Sequence, residues 1–66
     1  MIINVEVFKA VSNSHVCRLS NDNGVIYIIE TSFDKQRAVT KALDKLYVKL
    51  CCRGIDPNSV TLKRII

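Results

Sequence analysis

Residues 2–11, IINVEVFKAV, put Ile3, Val5, Val7 and Val11 on one parity and Asn4 and Glu6 on the other. This is the period-two alternation of a half-buried strand. Phe8 interrupts the polar parity and Lys9 the apolar one. Ser12-Asn13-Ser14 has turn chemistry, and HVCRLS over 15–20 is a second, weaker strand with Cys17 and Leu19 set against Val16 and Arg18. Asn21-Asp22-Asn23-Gly24 supplies residues that tolerate the positive φ of a tight hairpin turn. The next run, VIYIIET over 25–31, is apolar on both parities. Such a run suits a strand covered on both faces, or covered by a helix on one face and a partner on the other.

At SFDKQRAVTKALDKLYVKLCCRG, residues 32–54, the period changes to that of a helix. Asp34 is the expected N-cap, with Phe33 before it positioned to pack on Ala38 as a hydrophobic staple. Gly54 is the natural residue to follow the last turn, where Lys49 and Arg53 suit the negative end of the helix dipole. With about 100° per residue, Val39, Leu43, Leu46 and Leu50 fall within about 60° of one another, flanked by Ala42 and Tyr47. IDPNS is a turn built on Asp56-Pro57, and VTLKRII over 60–66 closes the chain as a strand.

The elements predict a single α+β domain over residues 1–66, a small ββ-β-α-β fold. The first three strands form an antiparallel meander. A right-handed crossover through the helix lays the fourth strand parallel to the third, and therefore parallel to the first, whose edge is free. The expected sheet order is 3-2-1-4, with the helix packed on one face.

Sixty-six residues with 48% hydrophobic positions support one thin core. The start of the chain has no basic segment followed by a long apolar one, and the longest apolar run, VIYII, is far short of the roughly 20 residues of a membrane helix. The three cysteines include an adjacent pair, Cys51 and Cys52, which is no disulfide framework. A cytoplasmic, non-membrane protein is the expectation. Ten Lys or Arg against six Asp or Glu give a net charge of +4, which favours acidic partners.

Arg37, Lys41, Lys45, Lys49 and Arg53 recur every fourth position. Four-residue steps advance about 40°, so they form one slowly winding row, expected on the side of the helix opposite the apolar cluster. Only Asp34 and Asp44 are acidic within the helix. Like charges four apart repel by a few tenths of a kcal/mol, so an anionic partner that neutralises the row makes it easier to understand. Lys63 and Arg64 in the last strand add further positive charge. The stretch SFDKQRAVTKALDKL over 32–46 resembles the helix of integrase arm-binding and related three-stranded DNA-binding domains. It is equally similar to the last helix of double-stranded-RNA-binding domains, and no functional residue is carried over from either.

Two functions follow as expectations. The first is a small nucleic-acid-binding protein that contacts phosphates through the helix row together with Lys63 and Arg64. The second is a protein-interaction module, such as an inhibitor, an antitoxin-like protein or a virus-encoded accessory protein. It would dock on an acidic or larger protein, or form a homodimer, through an open sheet face carrying Ile2, Phe8, Ile26 and Ile28. Enzyme activity is not expected. His15 is the only histidine and has no acidic residue at a fixed short spacing to orient it. Cofactors and metals are not expected either, because adjacent cysteines on a helix point about 100° apart and do not share one ion. Of that pair, Cys51 is expected at the edge of the buried arc and Cys52 among Lys45 and Lys49, where positive charge favours thiolate.

Overall fold

The computed structural model describes residues 1–65. It has strands β1 (Ile2–Lys9), β2 (His15–Asn21) and β3 (Tyr27–Ser32), helix α1 (Lys35–Cys52), a single 3-10 turn at Pro57–Ser59 and strand β4 (Thr61–Arg64). The sheet order is β3-β2-β1-β4. β1 pairs antiparallel with β2 and parallel with β4, and β2 pairs antiparallel with β3. The order and the parallel closing pair are those expected from the crossover rule. The last strand expected over 60–66 is shorter, and Ile66 lies outside the described residues.

Both hairpins are built by asparagine. In the first, Asn13 N–H bonds to Ala10 O at 3.1 Å and Ala10 N–H to Ser14 O at 2.7 Å, with Asn13 at φ 65. This type of turn needs a left-handed residue, and Asn accepts that backbone at lower cost than most. Ala10 and Val11 therefore belong to the turn, and Val11, expected on the buried parity, is fully exposed. In the second hairpin, Gly24 at φ 73 donates to Asn21 O at 3.1 Å. Asn21 N–H donates to Ile26 O at 3.2 Å, and the return bond is made by the Asn21 side chain, which accepts from Ile26 N–H at 3.0 Å.

Registers assign the two faces. Ile3, Val5 and Val7 stand beside Asn21, Leu19 and Cys17, and Leu19 beside Ile28. With Ile26 they form the buried face, closed by Ala38, Ala42, Leu46 and Leu50 of α1, while Val39, Leu43, Ile55 and Val60 pack at its margin. The opposite face carries Asn4, Glu6 and Phe8, then Val16, Arg18 and Ser20, then Tyr27, Ile29 and Thr31. No helix lies on it among the described residues.

The assignment of β3 corrects one expectation. Ile26 and Ile28 are buried under α1, and Tyr27 and Ile29 face outward at about half exposure. A strand apolar on both parities does not declare its inner face, and the five-residue connection 22–26 sets it instead. The helix phase is also corrected. Its buried spine is Ala38, Ala42, Leu46 and Leu50, whereas Tyr47 is exposed.

Both ends of α1 are closed as expected. Asp34 accepts from Gln36 N–H at 3.0 Å. At the other end, Gly54 at φ 71 donates to Cys51 O at 3.1 Å, and Ile55 N–H donates to Leu50 O at 2.9 Å. This is the paired bonding of a Schellman motif, with Ile55 returning to the core. The staple does not form, because Phe33 is 82% exposed. Cys51, expected at the buried arc, is exposed.

Candidate nucleic-acid interface

Every basic residue of the row but the last immediately precedes a buried one: Arg37 before Ala38, Lys41 before Ala42, Lys45 before Leu46, Lys49 before Leu50. A one-residue step turns about 100°, so the row runs at right angles to the buried spine, on one flank of α1, and not opposite it. The crest that points away from the sheet carries Gln36, Thr40, Asp44, Val48 and Cys52. The other flank carries Lys35, Val39, Leu43, Tyr47 and Cys51. Lys35 in the first turn is its one cation, and the run of basic residues lies on the flank beside β3.

On that flank the lysines reach over the free edge of the sheet. Lys41 Nζ donates to Thr31 O at 3.2 Å and Lys49 Nζ to Tyr27 O at 3.4 Å. Between them, Lys45 Nζ binds Glu30 Oε2, and Lys41 Nζ lies 3.6 Å from Glu30 Oε1. Glu30 stands beside Cys17 on the helix-covered face, and its carboxylate is 11% exposed. The hydrogen bond from Lys45, and the charges of both lysines, hold its carboxyl below the usual carboxylate range.

The anion missing from the helix sequence is thus supplied by Glu30 of β3, eleven residues before Lys41 and fifteen before Lys45. The lysines also shield an edge whose outward carbonyls would otherwise be open to another strand. The expectation that the middle of the row is unrelieved is corrected by these contacts. Lys41 and Lys45 remain about half and two-thirds exposed. Arg37 and Arg53, at the ends, are exposed and have no side-chain partner among the described residues.

Lys63 and Arg64 do not join this surface. β4 is the opposite edge of the sheet, three strand spacings of about 4.8 Å from β3. Lys63 lies beside Asn4 on the open face, and Arg64 beside Val5 on the helix side. Arg64 opposes the effect of burial on Cys17, whose thiol is nonetheless pushed up by that burial. A buried, protonated thiol of this kind is a core residue.

Between α1 and the outer edge of β3 runs an open groove of about 600 Å³, with Ile28, Ile29 and Val48 among its walls and Lys45, Lys49 and Cys52 alongside. Sequence reasoning missed it, because it exists only where helix and edge strand diverge. A smaller apolar groove of about 150 Å³ lies on the other flank, among Leu43, Tyr47, Pro57 and Leu62.

On the open sheet face, Arg18 Nε donates to Glu6 Oε1 at 3.2 Å, and a second guanidinium nitrogen binds Glu6 Oε2. The guanidinium also lies 5.7 Å from the centre of the Phe8 ring. Hydrogen bonds from Arg18 to Glu6 and Tyr27 raise its already high pKa further. Of the apolar residues expected here, Ile2 and Phe8 are exposed, while Ile26 and Ile28 are in the core.

Among the described residues, no group of three or more His, Cys, Asp or Glu gathers as metal ligands do, and no helix is long and apolar enough to cross a membrane. No family model matches the chain, and no curated protein or solved structure matches it.

Proposed function

We propose that this chain is a small non-enzymatic nucleic-acid-binding protein that contacts phosphates through the basic flank of α1. The observation that carries this reading is the charge balance of the flank. Arg37, Lys41, Lys45, Lys49 and Arg53 share it, and among the described residues Glu30 is the single carboxylate paired with any of them. Four-residue steps place the cations about 6 Å apart along the helix axis, over about 24 Å in all. Contacts of this kind fix position on a backbone and carry no base information, so binding is tolerant of sequence.

The test is a fluorescence titration against labelled nucleic acid at 50 and 200 mM salt. Micromolar binding that weakens steeply with salt is expected. Replacing Arg37, Lys45 or Arg53 singly with Ala should lower the slope of log K against log salt by about one unit each. Absence of binding at 50 mM salt overturns the reading.

A second reading, a protein-interaction module, is favoured by one observation. Ile2, Phe8, Tyr27 and Ile29 are exposed on the uncovered sheet face, and exposed apolar groups gathered on one face mark interfaces. A homodimer through this face would appear as a doubled mass in light scattering, lost in Phe8→Asp. Under this reading Phe8→Asp disrupts association and leaves the salt-dependent titration unchanged.

A further inference from the structure

We propose that the outer edge of β3 takes up an extended peptide segment of another protein as an added strand, one that is uncharged and carries aliphatic side chains at alternate positions. This goes beyond the phosphate-contact reading, since it gives the molecule a second ligand, held by backbone bonds at the sheet edge.

The edge offers a free backbone window. Tyr27 O and Thr31 O point outward, where Lys49 and Lys41 donate to them, while Ile26 O points inward and accepts from Asn21 N–H. Backbone groups alternate in direction along a strand, so the N–H and C=O of Ile29 also point outward. Among the described residues no side chain bonds to them. An incoming strand bonds first to Ile29 and then to its two outward neighbours. At Thr31 and Tyr27 its N–H groups replace the ammonium groups of Lys41 and Lys49, which return to water. The lysines latch the edge without sealing it.

The register sets where the side chains of such a strand go. The residue opposite Ile29 stands beside it on the open face, and its two neighbours project to the helix side, next to Ile28 and Glu30. On that side lies the groove of about 600 Å³, within the range of about 300–1,000 Å³ found for ligand sites. Its wall includes Val48, 61% exposed, and Ile29 on the other face is 48% exposed. A strand laid here meets apolar surface on both sides. In this mode main-chain bonds give affinity, and pockets for alternate side chains give specificity.

Charge selects the occupant. Glu30 and Asp44 stand against Lys45 and Lys49 around the groove, so its charges cancel and suit an uncharged, aliphatic segment. A second copy of this chain is disfavoured. A twofold pairing of β3 with β3 sets one row of Arg37, Lys41, Lys45, Lys49 and Arg53 beside another, and like charges brought together oppose association. An uncharged segment meets no such repulsion.

The probe is a heptapeptide of alternating valine and threonine, blocked at both ends and carrying a short polyethylene glycol tail for solubility. It is titrated into isotope-labelled protein and followed by NMR at 50 and 200 mM salt. A second peptide, N-methylated at its three central positions, keeps the side chains and loses the backbone donors. Val48→Asp is titrated in parallel, with far-ultraviolet circular dichroism to verify folding.

The unmodified peptide should bind saturably, with the Ile29 amide among the largest shifts and its hydrogen exchange slowed at least tenfold. Affinity should change less than twofold between the two salt concentrations, because the ligand is uncharged. The methylated peptide should bind at least tenfold more weakly, and Val48→Asp should weaken binding at least fivefold. Equal binding of the methylated peptide, an unaltered affinity in Val48→Asp, or shifts confined to Ile2 and Phe8 would each overturn the inference. So would a doubled mass of the free protein that Val48→Asp abolishes, which assigns the edge to a second copy. No saturable shift at about 1 mM peptide, the weak end of specific affinity, also overturns it, and leaves the phosphate reading to its own titration.

Discussion

The Asn21 side-chain carbonyl and the Ile26 backbone N–H meet at 3.0 Å in the interior, where Ile26 is wholly buried. A side chain here does what a backbone carbonyl does elsewhere in the ladder, while the Asn21 carbonyl accepts from Gly24 N–H. Replacing it with Ala leaves a buried donor without an acceptor, at a cost of about 1–3 kcal/mol. Urea denaturation of Asn21→Ala should show that loss. Asn23→Ala, which removes an exposed bond from Val25 N–H, should change stability by less than about 0.5 kcal/mol.

Glu30 predicts a specific pH dependence. Its folded-state pKa lies below the ordinary carboxylate value of about 4.3, so its ionised form favours the folded state. That contribution is present above the ordinary value and is lost as pH falls through the depressed one. The difference in Tm between the unmodified chain and Glu30→Gln should therefore be constant near neutrality and shrink below about pH 4.5. Salt should reduce the difference, since Lys41 and Lys45 are substantially exposed. A difference that persists unchanged at pH 2 would show that Glu30 acts through packing alone.

If the lysines guard the β3 edge, removing them should make the protein associate. The Lys41→Ala, Lys45→Ala, Lys49→Ala triple variant uncovers the outward carbonyls of Tyr27 and Thr31. Light scattering should report a larger mass than for the unmodified chain at equal concentration. The same triple replacement with Arg should not. No increase in mass would mean that the edge is protected by its own twist and shortness.

The corrected helix phase is open to a direct comparison. Leu46 is 4% exposed and Phe33 82% exposed. Leu46→Ala should cost about 2–5 kcal/mol through the cavity it leaves, while Phe33→Ser should fall within about 0.5 kcal/mol of zero. A large loss at Phe33 would restore the staple that its exposure rules out.

These contrasts also mark what local sequence encodes. The hairpin at Asn21–Gly24 and the crossover through α1 are chemical and topological rules, so the order 3-2-1-4 was legible before any coordinates. The inner face of β3 was not, because Ile26, Tyr27, Ile28 and Ile29 are apolar on both parities and hydropathy does not separate them. The helix phase was displaced for a related reason. Ala38 and Ala42 are wholly buried but carry a weaker apolar signal than Tyr47, which stays exposed. The row of five cations was visible as a spacing. Its contacts were not, since Lys49 meets Tyr27 across 22 residues of chain and a fold.

The parallel pairing of β1 with β4 has a mechanical consequence. Force applied between residues 1 and 65 draws these neighbouring strands past each other along their length. The bonds from Thr61 N–H to Met1 O and from Ile65 N–H to Val5 O are then loaded together, in shear. Force applied between residues 15 and 32, which are register partners at the open end of the β2–β3 hairpin, opens one pair at a time. Forced unfolding follows the barrier and not the equilibrium stability, so a single equilibrium stability coexists with two rupture forces. The sheet is stiff along the line joining the two ends of the chain and yields readily when peeled from its β3 edge.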